Sequence, residues 1–191
     1  MTTLVFVFNG ASFSASGPNR LTANAVAVLD QAGNRAVQLS NPSINAASFE
    51  ALARKIVTLA HGQTVGLVGF SAGGALALRI AETPGLKVSA VLDYYGVPDV
   101  QASLQRHRNN RPISGLAPFR PSVVSLLSGP VTTAAHVVGA FGQFDPNVRA
   151  DNSSADLLRD DPNAHVYTYP GGHGVSITAS RPALDDFLSR L

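Results

Sequence analysis

An α/β domain built on a mostly parallel sheet is the fold class that this sequence predicts, and three observations predict it. Strand-like and helix-like segments alternate along the chain. Most of the strand-like runs are nearly all apolar or aromatic, as in strands covered on both faces. One serine, Ser71, stands between glycines where an apolar run passes into an alanine-rich helical pattern.

Leu4 to Phe8 reads as the first strand. Leu21 to Gln31 follows as a helix, with Leu21, Ala25, Val28 and Leu29 on one face and Gly33 as its stop, and Ala36 to Leu39 is the second strand. Ser48 is expected to cap the next helix, whose Phe49, Leu52, Ile56 and Leu59 recur at the spacing of one buried face before Gly62 ends it. Val65 to Phe70 is the third strand, and Ala75 to Glu82 the helix behind Ser71. Val88 to Tyr94, His136 to Phe141 and His165 to Tyr169 complete the strands, each expected to be covered on both faces. Ser180 and Pro182 start a last helix that turns Leu184, Phe187, Leu188 and Leu191 toward the core. Residues 97–133 break this rhythm with Pro98, Pro112, Pro118, Pro121 and Pro130 and two short helical patterns, Val100 to Arg106 and Ser122 to Leu127. An excursion of that length beside a site is expected to act as a small, loop-rich lid.

At 191 residues and 45% hydrophobic, residues 1–191 are expected to form a single domain with one core. A formal net charge of +2, with basic side chains spread along the chain, argues against nucleic acid or an anionic membrane as partner. The absence of cysteine excludes disulfides, thiolate metal sites and a cysteine nucleophile. No apolar run nears the roughly 20 residues that cross a bilayer, and Leu4 to Phe8 lacks the basic flank and length of a signal segment. A soluble, cytoplasmic protein is the default expectation. With only 14% of residues charged, an oligomer contact or an apolar substrate mouth is open on the surface.

Gly69-Phe70-Ser71-Ala72-Gly73 carries the chemistry. Glycines two before and two after the serine permit a sharp strand-to-helix turn that lifts the hydroxyl above the sheet edge, and the helix start aims N–H groups at a developing oxyanion. A serine alcohol needs a base, and the base an orienting acid. Asp145 follows the fifth strand in Gly142-Gln143-Phe144-Asp145-Pro146, and His173 follows the sixth in Gly171-Gly172-His173-Gly174. Ser, then Asp, then His is one of the known triad orders, and all three follow strand ends, so they share the carboxyl-terminal edge. Asp93 and Asp151 compete for the acid's role, but Asp93 falls within the fourth strand and Asp151 well beyond the fifth. Backbone N–H groups of Ala72 and Ala11, with Ser12 as the alternative to Ala11, are the expected oxyanion donors.

The stretches Leu67 to Ala77, Val91 to Gly96, Phe141 to Pro146 and Tyr167 to Gly174 resemble the dienelactone hydrolase branch of the α/β-hydrolases, over nearly the whole chain. The resemblance implies the fold, here trimmed to about six strands, and places Ser71 at the nucleophile, Asp145 at the acid and His173 at the base. Three features depart from the family's namesake enzymes. Serine stands in place of their cysteine, Asn9-Gly10-Ala11 in place of a glutamate after the first strand, and no arginine closely follows His173.

Tyr94 and Tyr95 end the fourth strand and are candidates to line an acyl or alcohol pocket, or else pack. Arg106, Arg108 and Arg111, or Arg120, are candidates to bind a substrate carboxylate, against the simpler reading of a solvated loop face. His61, His107, His136 and His165 read as structural or surface residues, and their scatter without a paired carboxylate argues against zinc. The reading is a serine hydrolase of small or medium carboxylic esters, lactones or thioesters, with no cofactor. Acyl transfer or editing thioesterase chemistry, and a ligand-binding protein without turnover, remain open alternatives.

Overall fold

The computed structural model describes residues 2–10, 17–101, 121–145, 158 and 161–191. Strands β1 (Leu4–Phe8), β2 (Arg35–Leu39), β3 (Thr64–Phe70), β4 (Lys87–Tyr94), β5 (His136–Gly142) and β6 (Ala164–Tyr169) alternate with helices α1 (Arg20–Gln31), α2 (Ala46–Ala60) and α3 (Ala72–Ile80), then α4 (Pro121–Leu126) and α5 (Arg181–Leu188). The strands form one 6-stranded sheet in the order β2-β1-β3-β4-β5-β6, with every neighbouring pair parallel. From β1 the chain builds outward to β2 and then returns to the other side at β3. The order therefore reverses between β1 and β3, the kind of switch point at whose carboxyl ends open α/β sheets place their sites.

All of β1 is buried, as are Val65–Phe70 of β3 and Ala90–Tyr94 of β4. Helices cover both faces. A Cβ on Gly66 would lie 2.5 Å from Leu191 Cδ2 and 3.0 Å from Phe187 Cζ, whereas one on Gly69 would lie 2.1 Å from Gly73 O. Residues 66 and 69 point to opposite sides of a strand, so α5 with the chain end packs on one face and α3 on the other. The strand β6 departs from expectation. It is one of the sheet's two edges, paired only with β5, and its residues are intermediate or exposed, so its apolar sequence reflects one covered side. No helix among the described residues is long and apolar enough to cross a membrane.

Two helix starts share one device. Asn19 caps α1 and Asn45 caps α2; each side chain accepts from the backbone N–H of the residue three on, Thr22 or Ser48, whose hydroxyl accepts in return from the cap's own N–H. Ser48 is thus the third residue of α2 and not its cap. Helix α3 also begins earlier than the alanine pattern suggests, at Ala72, because Gly73 and Gly74 are part of its first turn.

Beneath α3 lies a buried acid. Asp93 Oδ1 accepts from Gly96 N–H at 2.8 Å, and its Oδ2 is buried without a hydrogen bond. A Cβ at Gly74 would stand 1.9 Å from Asp93 Oδ1, and one at Gly96 2.2 Å from it, so both glycines make room for this carboxyl group. Burial raises its pKa from the ordinary 3.8 to about 7, against the lowering by the Gly96 N–H.

Arg79, at the end of α3 and only 8% exposed, braces the stems of the proline-rich excursion. Its Nη2 donates to Pro98 O at 2.7 Å and Gly129 O at 2.5 Å, while Nη1 donates to Pro130 O at 3.0 Å and pairs with Glu82 at 3.1 Å. The two stems also bond each other, Val100 N–H to Leu127 O at 3.0 Å and Gly129 N–H to Asp99 Oδ2 at 3.0 Å. The remainder of that excursion, residues 102–120, lies outside the described residues.

Two outcomes are expected in urea unfolding. Arg79→Met strands the Pro98, Gly129 and Pro130 carbonyls and lowers stability by at least about 3 kcal/mol, and Arg79→Lys recovers little of it because one ammonium cannot span the fork. Asp93 binds a proton on folding between 3.8 and about 7, so its contribution is fully present below 3.8 and is lost as pH rises through about 7. Asp93→Asn flattens that decline and has a higher urea midpoint than wild type at pH 8; a variant that keeps the wild-type slope would refute this.

Candidate active site

The turn from β3 into α3 brings backbone against backbone. Cβ atoms at Gly73 would lie 2.5 Å from Asn9 O and 2.6 Å from Phe8 O, so the first turn of α3 rests directly on the end of β1. Only glycine permits that approach. Ser71 takes up the resulting bend with φ 53° and ψ −121°, a left-handed conformation that costs a non-glycine residue on the order of 1–3 kcal/mol. Its N–H donates to Tyr94 O at 2.8 Å, and its carbonyl accepts from Gly74 N–H at 2.9 Å, so both sides of the strained residue are pinned.

Asp145 and His173 reach the same point from the next strands. His173 Nε2 lies 3.0 Å from Ser71 Oγ, and His173 Nδ1 lies 2.8 Å from Asp145 Oδ2. The Asp145 side chain is fully buried and that of His173 is 26% exposed, so the far end of the relay is dry and the near end open. With Asp145 as acceptor, Nδ1 carries the proton and Nε2 faces the serine hydroxyl as acceptor. The two supporting loops are stitched together. Gln143 N–H donates to Tyr169 O at 2.8 Å and Phe144 N–H to Gly171 O at 2.8 Å, while a Cβ at Gly142 would lie 2.5 Å from Gly172 O.

The loop after β1 passes against the serine. A Cβ on Gly10 would lie 2.7 Å from Phe70 O and 2.9 Å from Ser71 Cβ. Ala11 and Ser12, the expected partners of Ala72 in an oxyanion hole, lie outside the described residues. Ala72 is the first residue of α3, where helix geometry leaves N–H groups without an intrahelical acceptor. Asn9, in the stretch after β1, is buried in a polar network. Its Nδ2 donates to Gly17 O at 2.7 Å, its Oδ1 accepts from Asn19 Nδ2, and its carbonyl accepts from Asn41 Nδ2. Asn19 and Asn41 carry no motif, so pattern reading alone passes over them.

Tyr94 and Tyr95 do not line an open pocket. Tyr94 is buried, stacks on Phe70 with centroids 4.8 Å apart and hydrogen-bonds Ser180 at 2.7 Å. Tyr95, also buried and at φ 44°, lies under the His173 ring with centroids 4.5 Å apart. Burial, and then the charges of Asp145 and Asp93, push its hydroxyl well above the ordinary tyrosine range. Strand parity and a buried turn, which residue type does not report, aim both rings inward. The residue that does face solvent is Phe144, 76% exposed beside the acid. Arg106, Arg108, Arg111 and Arg120, with His107 and Asp151, lie outside the described residues. His61 caps α2 in a left-handed conformation. His136 and His165 are not scattered in space. They lie near the starts of adjacent strands, β5 and β6, and meet Asp186 of α5.

The family model for the dienelactone hydrolase family matches residues 21–182. A search of the curated proteins found no match. Among solved structures, a bifunctional GH43-CE protein of Bacteroides eggerthii superposes with TM-score 0.73 at 18% identity over 99% of this chain, which spans 34% of that protein. Est1E from Butyrivibrio proteoclasticus gives TM-score 0.73 at 13% identity, covering 99% of this chain and 88% of its own. The Pyrococcus furiosus esterase Pf2001 gives 0.68 at 14% identity, covering 98% and 82%. At such identities the likeness establishes the fold. The sheet order, the glycine-flanked Ser71 turn and the match over residues 21–182 together make this chain a member of the dienelactone hydrolase family, with an α/β-hydrolase fold.

Proposed function

We propose that the protein is a cofactor-independent serine hydrolase of small or medium carboxylic esters, lactones or thioesters, with Ser71, His173 and Asp145 as its triad. The continuous run of hydrogen bonds from Asp145 through His173 to Ser71, ending on a strained turn at the carboxyl edge of the sheet, carries this reading. His173 Nε2 takes the Ser71 proton as Oγ attacks the acyl carbon. Negative charge on the former carbonyl oxygen is held by the Ala72 N–H and the Ala11 N–H, each worth about 3 kcal/mol when well aimed. Asp145, dry and close to Nδ1, stabilises the imidazolium. That imidazolium then protonates the leaving alcohol or thiol. Water deprotonated by His173 cleaves the acyl-enzyme and restores Ser71. Phe144 offers an apolar contact for the substrate beside the acid, which favours esters with an apolar arm.

With a short-chain 4-nitrophenyl ester, Ser71→Ala is expected to lower kcat/KM by about 10⁴ or more, and Asp145→Asn by about 10³ to 10⁴. A fluorophosphonate probe labels Ser71 in wild type, as read by peptide mass spectrometry. Wild-type turnover or undiminished labelling in Ser71→Ala would overturn the assignment. Phe144→Ala raises KM for aryl esters by about fivefold, about 1 kcal/mol of lost contact, and leaves kcat near wild type.

A further inference from the structure

The opposite edge of the sheet holds a second cluster of chemically able side chains. His136 opens β5, His165 lies one residue into β6, and Asp186 projects from α5 between them. His136 Nε2 lies 3.2 Å from Asp186 Oδ1 and His165 Nδ1 lies 2.7 Å from Asp186 Oδ2. One donor atom from each of the three residues falls within 4.8 Å of the others. Donors bound to one ion at about 2.0–2.1 Å stand about 3–3.5 Å apart, so a small turn of a ring closes the set. His165 has room for it, its side chain being 52% exposed, while Asp186 is 10% exposed and fixed. The Tyr167 hydroxyl donates to Asp186 Oδ2 at 3.1 Å, the kind of outer contact that orients a ligating carboxylate. Arg190 Nε stands 3.9 Å from Asp186 Oδ1, beyond hydrogen-bond length, and its half-exposed side chain has solvent to turn into.

The geometry points to a binding site for one divalent transition-metal ion of the zinc type, held by His136, His165 and Asp186 with a fourth position open to water. Two imidazoles and a carboxylate suit zinc, nickel or copper and disfavour magnesium or calcium. β5 runs from His136 to Gly142, so the site lies roughly 20 Å from the Ser71 edge. An ion there takes no part in acyl chemistry. It clamps β5, β6 and α5, and those strands carry the Asp145 and His173 loops at their other ends.

The test is zinc chloride titrated into the full chain after EDTA treatment, read by calorimetry and by thermal unfolding. One zinc per chain is expected, with Tm raised by about 5 °C or more once zinc exceeds Kd a hundredfold. His165→Ala, at a half-exposed position, and the near-isosteric Asp186→Asn each weaken binding by at least about tenfold, while His173→Ala leaves stoichiometry and Tm shift unchanged. Absence of heat and Tm shift in wild type leaves a hydrogen-bonded cluster only and overturns the proposal. So does wild-type affinity in His165→Ala, or loss of the zinc heat in His173→Ala.

Discussion

The close approach of backbone to backbone where β3 turns into α3 is the constraint on which the rest of the site depends. Gly69 meets the Gly73 carbonyl, Gly73 meets the Phe8 and Asn9 carbonyls, and Gly10 meets Phe70 and Ser71, each at a distance that leaves no room for a side chain. A methyl group at any of these points would push α3 away from the sheet or the β1 loop away from the serine. Either shift moves the N–H groups at the start of α3 relative to Ser71 Oγ. The positive φ of Ser71 follows from the same approach, because a chain that reverses this tightly has no relaxed conformation for the residue at its apex. The strain persists because the Tyr94 carbonyl and the Gly74 N–H hold the residue from both sides.

Around that contact, buried polar side chains do what the sheet ladder cannot. Asn9 ties the start of its loop to Gly17, Arg79 ties Pro98 to Gly129 and Pro130, and Asp93 holds the Gly96 N–H where β4 ends. Each satisfies backbone groups at a point where the chain leaves regular structure, which is where such groups would otherwise be left without partners. Asp93 is the exception in electrostatic terms. It has one hydrogen bond and no cation against it among the described contacts, so burial shifts its equilibrium toward the neutral acid.

The fold was legible in the sequence because its signals are local. Runs such as Leu4 to Phe8 and the helical spacing from Phe49 to Leu59 report burial directly, and the glycines around Ser71 report a turn. Ser71, Asp145 and His173 were legible for a related reason: each follows a strand, and parallel strands deliver their ends to one edge. What local pattern does not contain is the partner across space. Ser48 reads as a cap until Asn45 is seen to hold its N–H. Tyr94 reads as either packing or a pocket wall until Phe70 and Ser180 are seen to cover it. His136, His165 and Asp186 are separated by 29 and 21 positions, and only the β5–β6 register and the packing of α5 bring them together. Arg79 carries no pattern at all, since its acceptors are backbone carbonyls some 19 and 50 residues away.

The loops that carry Asp145 and His173 show how the folded backbone sets the hydrogen-bonded run from Asp145 through His173 to Ser71. Their contacts continue the β5–β6 pairing past the last strand residues, with Gln143 bonded to Tyr169 and Phe144 to Gly171, so the loops behave as an extension of the sheet edge. Asp145 is fully buried at the end of that extension, and a side chain so placed has little rotational freedom left to lose. His173 is then fixed from two directions, by Asp145 at Nδ1 and by the Tyr95 ring on its face. Ser71 needs only to hold its own strained turn to meet Nε2 at 3.0 Å. Preorganisation here comes from strand register and glycine contacts, both properties of the folded backbone, and so the geometry of the relay is set by the same packing that stabilises the sheet.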